Sequence, residues 1–152
     1  MSDDLRDLYQ DLILDHGKNP RNFRPMEKAN HEALGHNPVC GDKIDLFLSV
    51  DDKGVIEELA FQGSGCAISV ASASMMTEML KGKTLEEAER LFEYMHNSCT
   101  GEPSSEEGLD EDAVERIKAL SGVREYPIRV KCATLPWHTL QAALKEEKKK
   151  AS

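Results

Sequence analysis

A chain of 152 residues with a formal charge of −9, 39% hydrophobic and 31% charged residues, is long enough to bury a core as one domain without disulfide staples. The acidic balance excludes the Lys/Arg footprint that nucleic-acid binding needs, and no apolar run approaches the ~20 residues of a membrane span. The start, Met1-Ser2-Asp3-Asp4, has neither the basic nor the apolar region of a signal peptide, so a cytoplasmic location is expected, where cysteines stay as thiols.

From Asp3 to His16, the apolar residues Leu5, Leu8, Tyr9, Leu12 and Ile13 fall at helical spacing. Ser2 or Asp3 can cap that helix and Gly17 can stop it. The two prolines of Asn19 to Pro25 predict a loop, and His31 to Gly35 a short strand. Lys43 to Val50 alternates apolar and polar residues, Asp51-Asp52-Lys53-Gly54 is turn chemistry, and Val55 to Gln62 returns, which predicts a β-hairpin. Cys66 to Leu80 has no breaker and is rich in Ala, Ser and Met, as in a closely packed buried helix in which Met75, Met76 and Met79 fill core gaps. Thr84 with Glu87 is a capping-box pattern opening a helix through Met95. Asn97 to Gly108 reads as a loop, and Asp110 caps a helix through Leu120 that Gly122 closes. Pro136 opposes a helix interior, so the last helix is expected to begin near Thr134, leaving Cys132 on its approach loop. Lys145 to Lys150 reads as a solvated helix end. The expected architecture is α+β: a small antiparallel sheet of about three strands packed against several helices.

None of the four cysteines forms a CxxC pair, so their spacing gives no zinc-finger signal and the flanks carry the information. Cys40, in Asn37-Pro38-Val39-Cys40-Gly41-Asp42, sits between a proline and a glycine on a bend. The carboxylate of Asp42 disfavours a thiolate beside it unless a cation lies between them. Cys66 follows Gly63-Ser64-Gly65 and opens a helix, where free N–H groups favour negative charge. Cys132 follows Arg129 and Lys131, whose charges act in the same direction. Cys40, Asp42, Cys66 and Cys132 together make a plausible set of ligands for zinc or for an iron–sulfur cluster. Taken singly, each cysteine is equally well a small buried hydrophobe. Cys99 lies in or beside a polar loop and has no matching setting. His16, His31, His36, His96 and His138 read as solvated or hydrogen-bonded rather than as ligands, His36 least securely.

On these residues the chain resembles the IscU/NifU-N family of iron–sulfur cluster assembly proteins over most of its length. The resemblance rests on Asp15-His16 with Asn19-Pro20-Arg21-Asn22, on Cys40-Gly41-Asp42, on Gly65-Cys66-Ala67 with Ser69, and on Lys131-Cys132. Within that family it is most similar to the SufU branch. The segment between the second and third cysteines is extended, Lys131 stands where IscU has a histidine, and Arg124-Glu125-Tyr126-Pro127-Ile128 replaces the Leu-Pro-Pro-Val-Lys motif.

The resemblance implies a zinc-bound acceptor of persulfide sulfur from a pyridoxal-phosphate cysteine desulfurase, with Cys40, Asp42, Cys66 and Cys132 as ligands. Cys40 is then the attacking thiol, and Arg129 and Lys131 steer the anionic persulfide. Such a protein is a sulfurtransferase-like partner rather than a stand-alone enzyme. An alternative is a scaffold on which a 2Fe–2S cluster is built on Cys40, Cys66 and Cys132 and passed to downstream assembly proteins or apo-protein acceptors. A third is a structural zinc domain.

Overall fold

The computed structural model describes residues 3–38 and 41–145. Its elements, in chain order, are α1 (Asp3–Lys18), β1 (His31–Asn37), β2 (Asp42–Val50), β3 (Ile56–Ser64), α2 (Ala67–Leu80), α3 (Leu85–Thr100), α4 (Glu111–Leu120), a 3-10 turn (Ser121–Glu125) and α5 (Pro127–Lys145). The strands form one antiparallel sheet in the order β1-β2-β3, so the expected α+β arrangement and the hairpin are both present.

Alternation decides which side of the sheet is covered. Ile44, Leu46 and Leu48 of β2 are each 0% exposed and join Leu59 and Phe61 of β3 in a core shared with Ala71, Met75 and Met76 of α2 and Trp137 and Leu140 of α5. Each fully buried Ile, Leu, Phe or Met among them contributes about 1.5–3 kcal/mol. Helix α2 is apolar or small on most of its circumference, and its buried residues run from Ser69 to Leu80. It can therefore pack against α1 on one side and the sheet and α5 on others. Ser72 donates from its hydroxyl to the Ala133 carbonyl at 2.5 Å, joining α2 to α5 next to Cys132. Gly35 of β1 faces Thr139 and Leu135 of α5 so closely that a Cβ would collide with the Thr139 hydroxyl.

Several boundaries differ from the sequence reading, each for a physical reason. Helix α1 passes through Gly17 to Lys18; that glycine serves close approach, since a Cβ on it would stand 3.3 Å from the Ala67 Cβ. The Ser2 cap lies outside the described residues, and Asp3 is already helical. Helix α3 runs on to Thr100 and ends at Gly101, left-handed at φ 83°, whose N–H bonds the Asn97 carbonyl. Asn97 to Thr100 are therefore helix rather than loop. The Thr84–Glu87 capping box is reciprocal, at 3.1 and 3.0 Å, and the bond from the Thr84 backbone holds the Glu87 carboxyl below its usual range. Asp110 occupies the cap position of α4 without a side-chain cap bond and faces Lys83 at 3.5 Å instead.

The largest correction concerns α5. It begins at Pro127, not near Thr134, and carries Pro136 in its interior, so Cys132 is helical and not on an approach loop. Pro127 suits a first helical position, where its fixed φ and missing N–H cost nothing. Pro136 is tolerated because α5 packs along β1, β2 and α2, and that burial outweighs the lost helical bond.

Candidate metal centre

Three chain-distant segments meet at one end of the sheet. Asp42 opens β2 directly after the β1–β2 turn and is paired in register with Asn37. The Gly41 N–H bonds the Asn37 carbonyl at 2.8 Å, closing that turn, and Gly41 itself is left-handed at φ 74°, a conformation that glycine adopts without strain. Cys66 is the N-cap residue of α2 and makes no side-chain cap bond. Cys132 lies in the second turn of α5, fully buried.

One oxygen each from Asp42 and one Sγ each from Cys66 and Cys132 lie within 4.8 Å of one another. This is the only group of three or more such ligands found among the described residues. The Asp42 carboxylate is oriented through Oδ1, which accepts the Cys66 N–H at 2.9 Å. Its second oxygen, Oδ2, is buried and has no hydrogen-bond partner among the described residues. A buried carboxylate oxygen left unpaired is costly unless a cation takes the place of a donor. Gly65 makes the arrangement possible: a Cβ there would collide with the Asp42 carboxylate and stand 2.8 Å from the Ser69 hydroxyl. Ser69 in turn donates to the Cys66 carbonyl at 3.1 Å.

Around Cys132, the Asn37 Nδ2 lies 4.0 Å from the sulfur, and the thiol faces the Ile128 carbonyl at 3.8 Å. Exposed Arg129 is held above the usual guanidinium range, first by its hydrogen bond to Cys132 and then by the charges of Cys66 and Cys132. The arginine thus touches both sulfurs' field from the solvent side. Lys131 is exposed and makes no ion pair among the described residues. Cys40 lies outside the described residues. His36 is exposed on β1 and is not part of the cluster.

Two soft thiols and a buried carboxylate whose second oxygen has no partner among the described residues suit a zinc site, and the same donors suit an iron–sulfur cluster. The edges of a zinc tetrahedron, with bonds of ~2.3 Å to sulfur and ~2.0 Å to oxygen, are about 3.5–3.8 Å, within the 4.8 Å that bounds the three donor atoms. Sequence reading found Asp42, Cys66 and Cys132 but missed Asn37, whose position opposite Asp42 depends on strand register. Cys99 is corrected: it is buried within α3, 3.9 Å from the Met95 sulfur, and burial pushes its thiol up to about 12.

Residues 8–133 match the family described as the NifU-like N terminal domain. The chain belongs to this family. Its relatives include the zinc-dependent sulfurtransferase SufU of Bacillus subtilis, 38% identical over 143 residues, 94% of this chain and 93% of that one. The iron-sulfur cluster assembly scaffold protein IscU of Thermotoga maritima is 39% identical over 140 residues, covering 91% of this chain and 94% of the relative. The crystal structure of FiSufU from Fervidobacterium islandicum AW-1 superposes with a TM-score of 0.80 at 35% identity, covering 91% of this chain and 98% of FiSufU. Within this NifU-like N-terminal domain, no helix among the described residues is long and apolar enough to cross a membrane.

The remaining motif of the resemblance has a structural role. His16 Nδ1 meets the Ser74 hydroxyl at 2.7 Å, the same hydroxyl accepts the Arg21 N–H at 2.8 Å, and Asn22 donates to Thr77 at 3.0 Å. Arg21 also pairs with Asp15 at 2.7 Å. Together they fasten α1 and the following loop onto α2, whose N-cap residue is Cys66.

Proposed function

We propose that this protein serves iron–sulfur cluster assembly as an acceptor of persulfide sulfur from a cysteine desulfurase, with zinc held by Asp42, Cys66, Cys132 and Cys40. The observation that carries this reading is the Oδ2 of buried Asp42, without a hydrogen-bond partner among the described residues and beside two thiols. The name of the B. subtilis relative, a zinc-dependent sulfurtransferase, supports it. Covalent reach supports Cys40 as the fourth ligand: two steps of ~3.8 Å keep its Cα within about 7.6 Å of that of Asp42.

Zinc, when bound, keeps thiolate ligands deprotonated at neutral pH while shielding them from stray oxidation. The chain's own residues supply the rest. Cys40 precedes Gly41, which is left-handed at φ 74°, a conformation that glycine adopts without strain. The Cys40 thiolate attacks the terminal sulfur of the desulfurase persulfide. A new Cys40 persulfide forms, the enzyme's S–S bond breaks, and its cysteine leaves as the thiolate, so no external oxidant or reductant is required. Arg129, exposed and bonded to Cys132, places positive charge where the anionic persulfide arrives, with Lys131 next to it along the chain. Asp42 is oriented by the Cys66 N–H at 2.9 Å.

The name of the T. maritima relative, a scaffold protein, favours a second reading in which the same ligands carry a 2Fe–2S cluster as cargo for apo-proteins. Desulfurase turnover, measured as alanine released from cysteine, separates the two. Sulfur acceptance predicts that the zinc-loaded protein stimulates turnover and that Cys40→Ala abolishes the stimulation. Absence of stimulation, together with transfer of a reconstituted cluster to an apo-protein, overturns that reading in favour of the scaffold.

A further inference from the structure

Asn37 is an unexpected residue in its position. It ends β1 immediately before Pro38, which favours extended backbone in the residue preceding it, and it is only 5% exposed. Asparagine is depleted from strands, and a buried primary amide is costly unless its polar groups find partners. Asn37 is the register partner of Asp42, and its backbone carbonyl accepts the Gly41 N–H at 2.8 Å. Its side chain reaches a different segment: Nδ2 is directed at the Cys132 sulfur on α5, 4.0 Å away. One residue thus joins the β1–β2 turn to the helix that bears a candidate ligand.

The chemistry of the sulfur gives that contact a direction. As a thiol, Cys132 faces the Ile128 carbonyl at 3.8 Å; as a thiolate it has no proton to give and only accepts. The Asn37 amide then offers a neutral N–H within the buried part of the centre, while exposed Arg129 offers a charged one from the solvent side. A hydrogen bond to a charged acceptor is stronger than one to a neutral acceptor. Donors to metal-bound ligands fix their orientation and tune the centre they serve.

We infer that Asn37 is a positioning residue of the metal centre: its side-chain N–H donates to the metal-bound Cys132 sulfur, orienting that ligand and stabilising its charge. The inference rests on the zinc reading of the thiol–carboxylate centre proposed above.

Two variants separate this role from packing. Asn37→Leu keeps a side chain branched at the same carbon and removes the N–H, whereas Asn37→Ala removes both. The bond to Gly41 comes from the backbone carbonyl, so neither substitution deletes its acceptor. Each full-length protein is loaded with Co²⁺ to record the thiolate-to-cobalt charge-transfer band, and with zinc to measure its loss to a competing chelator. Removing a donor raises the energy of the sulfur electrons, so the band should move to longer wavelength in both variants. Zinc should be held roughly tenfold or more less tightly. An unmoved band or an unchanged zinc affinity in Asn37→Leu overturns the inference and leaves Asn37 as a packing residue. Should the variants lose their fold, the parent protein decides. In isotope-labelled, cadmium-loaded protein, a scalar coupling between the metal and an Asn37 side-chain proton is expected, and its absence overturns the inference. A parent protein that shows no thiolate-to-cobalt band overturns the zinc reading, and this inference with it.

Discussion

Cys99 and Cys132 are both wholly hidden from solvent, and both lie on helices, but their surroundings share little else. Cys99 projects from α3 into apolar neighbours, with the Met95 sulfur as its partner, and burial alone pushes its thiol up to about 12. Cys132 has an asparagine amide, an arginine guanidinium, a second thiol and a carboxylate around it. Burial therefore does not separate a cysteine of the apolar core from one in the candidate centre. What separates them is whether other chain segments bring polar or charged groups to the sulfur.

The comparison is most sharply tested by removing each sulfur in turn. Cys132→Ala should cost metal affinity more than the roughly 10–100-fold typical of changes outside the ligand shell, read as zinc lost to a chelator competitor. Cys99→Ser should leave zinc retention unchanged and instead cost about 1–3 kcal/mol of folding stability in urea, because it buries a hydroxyl among apolar groups. Zinc loss in Cys99→Ser, or full retention in Cys132→Ala, breaks the distinction.

A smaller effect is expected at His16, another buried polar group whose partners define its role. Burial, and then the Arg21 charge, hold its imidazole below the usual range. The unfolded chain therefore takes up the proton first. The stabilisation is fully present above about pH 6.5, the unfolded value, and is lost as pH falls through the folded one. Urea midpoints should decline over that window and decline less in His16→Gln, which cannot titrate. Equal pH dependence in the two proteins would remove His16 from the account.

Much of this was legible in the sequence because it is local. Alternation over Lys43 to Val50, turn chemistry at Asp51 to Gly54, and the Thr84–Glu87 box each depend on residues a few positions apart. The flanks of Asp42, Cys66 and Cys132 marked them as candidates, and the motifs around them indicated the family. Helix boundaries were misread where packing overrides local preference. Pro136 lies inside α5 because that helix is held along the sheet and α2, and Gly17 serves contact with Ala67 rather than termination. Pro127 at the first turn of α5 and Gly101 after α3 were the local signals that would have set both ends. Asn37 could not be read, since strand register brings it to its partner.

X-ray absorption at the zinc edge of the purified protein tests the central claim most directly, because it counts the atoms around the ion. The account predicts one zinc per chain with three sulfurs and one oxygen in its first shell, and loss of the oxygen ligand in Asp42→Ala. A shell with fewer than two sulfurs, or one that Asp42→Ala leaves unchanged, would contradict it.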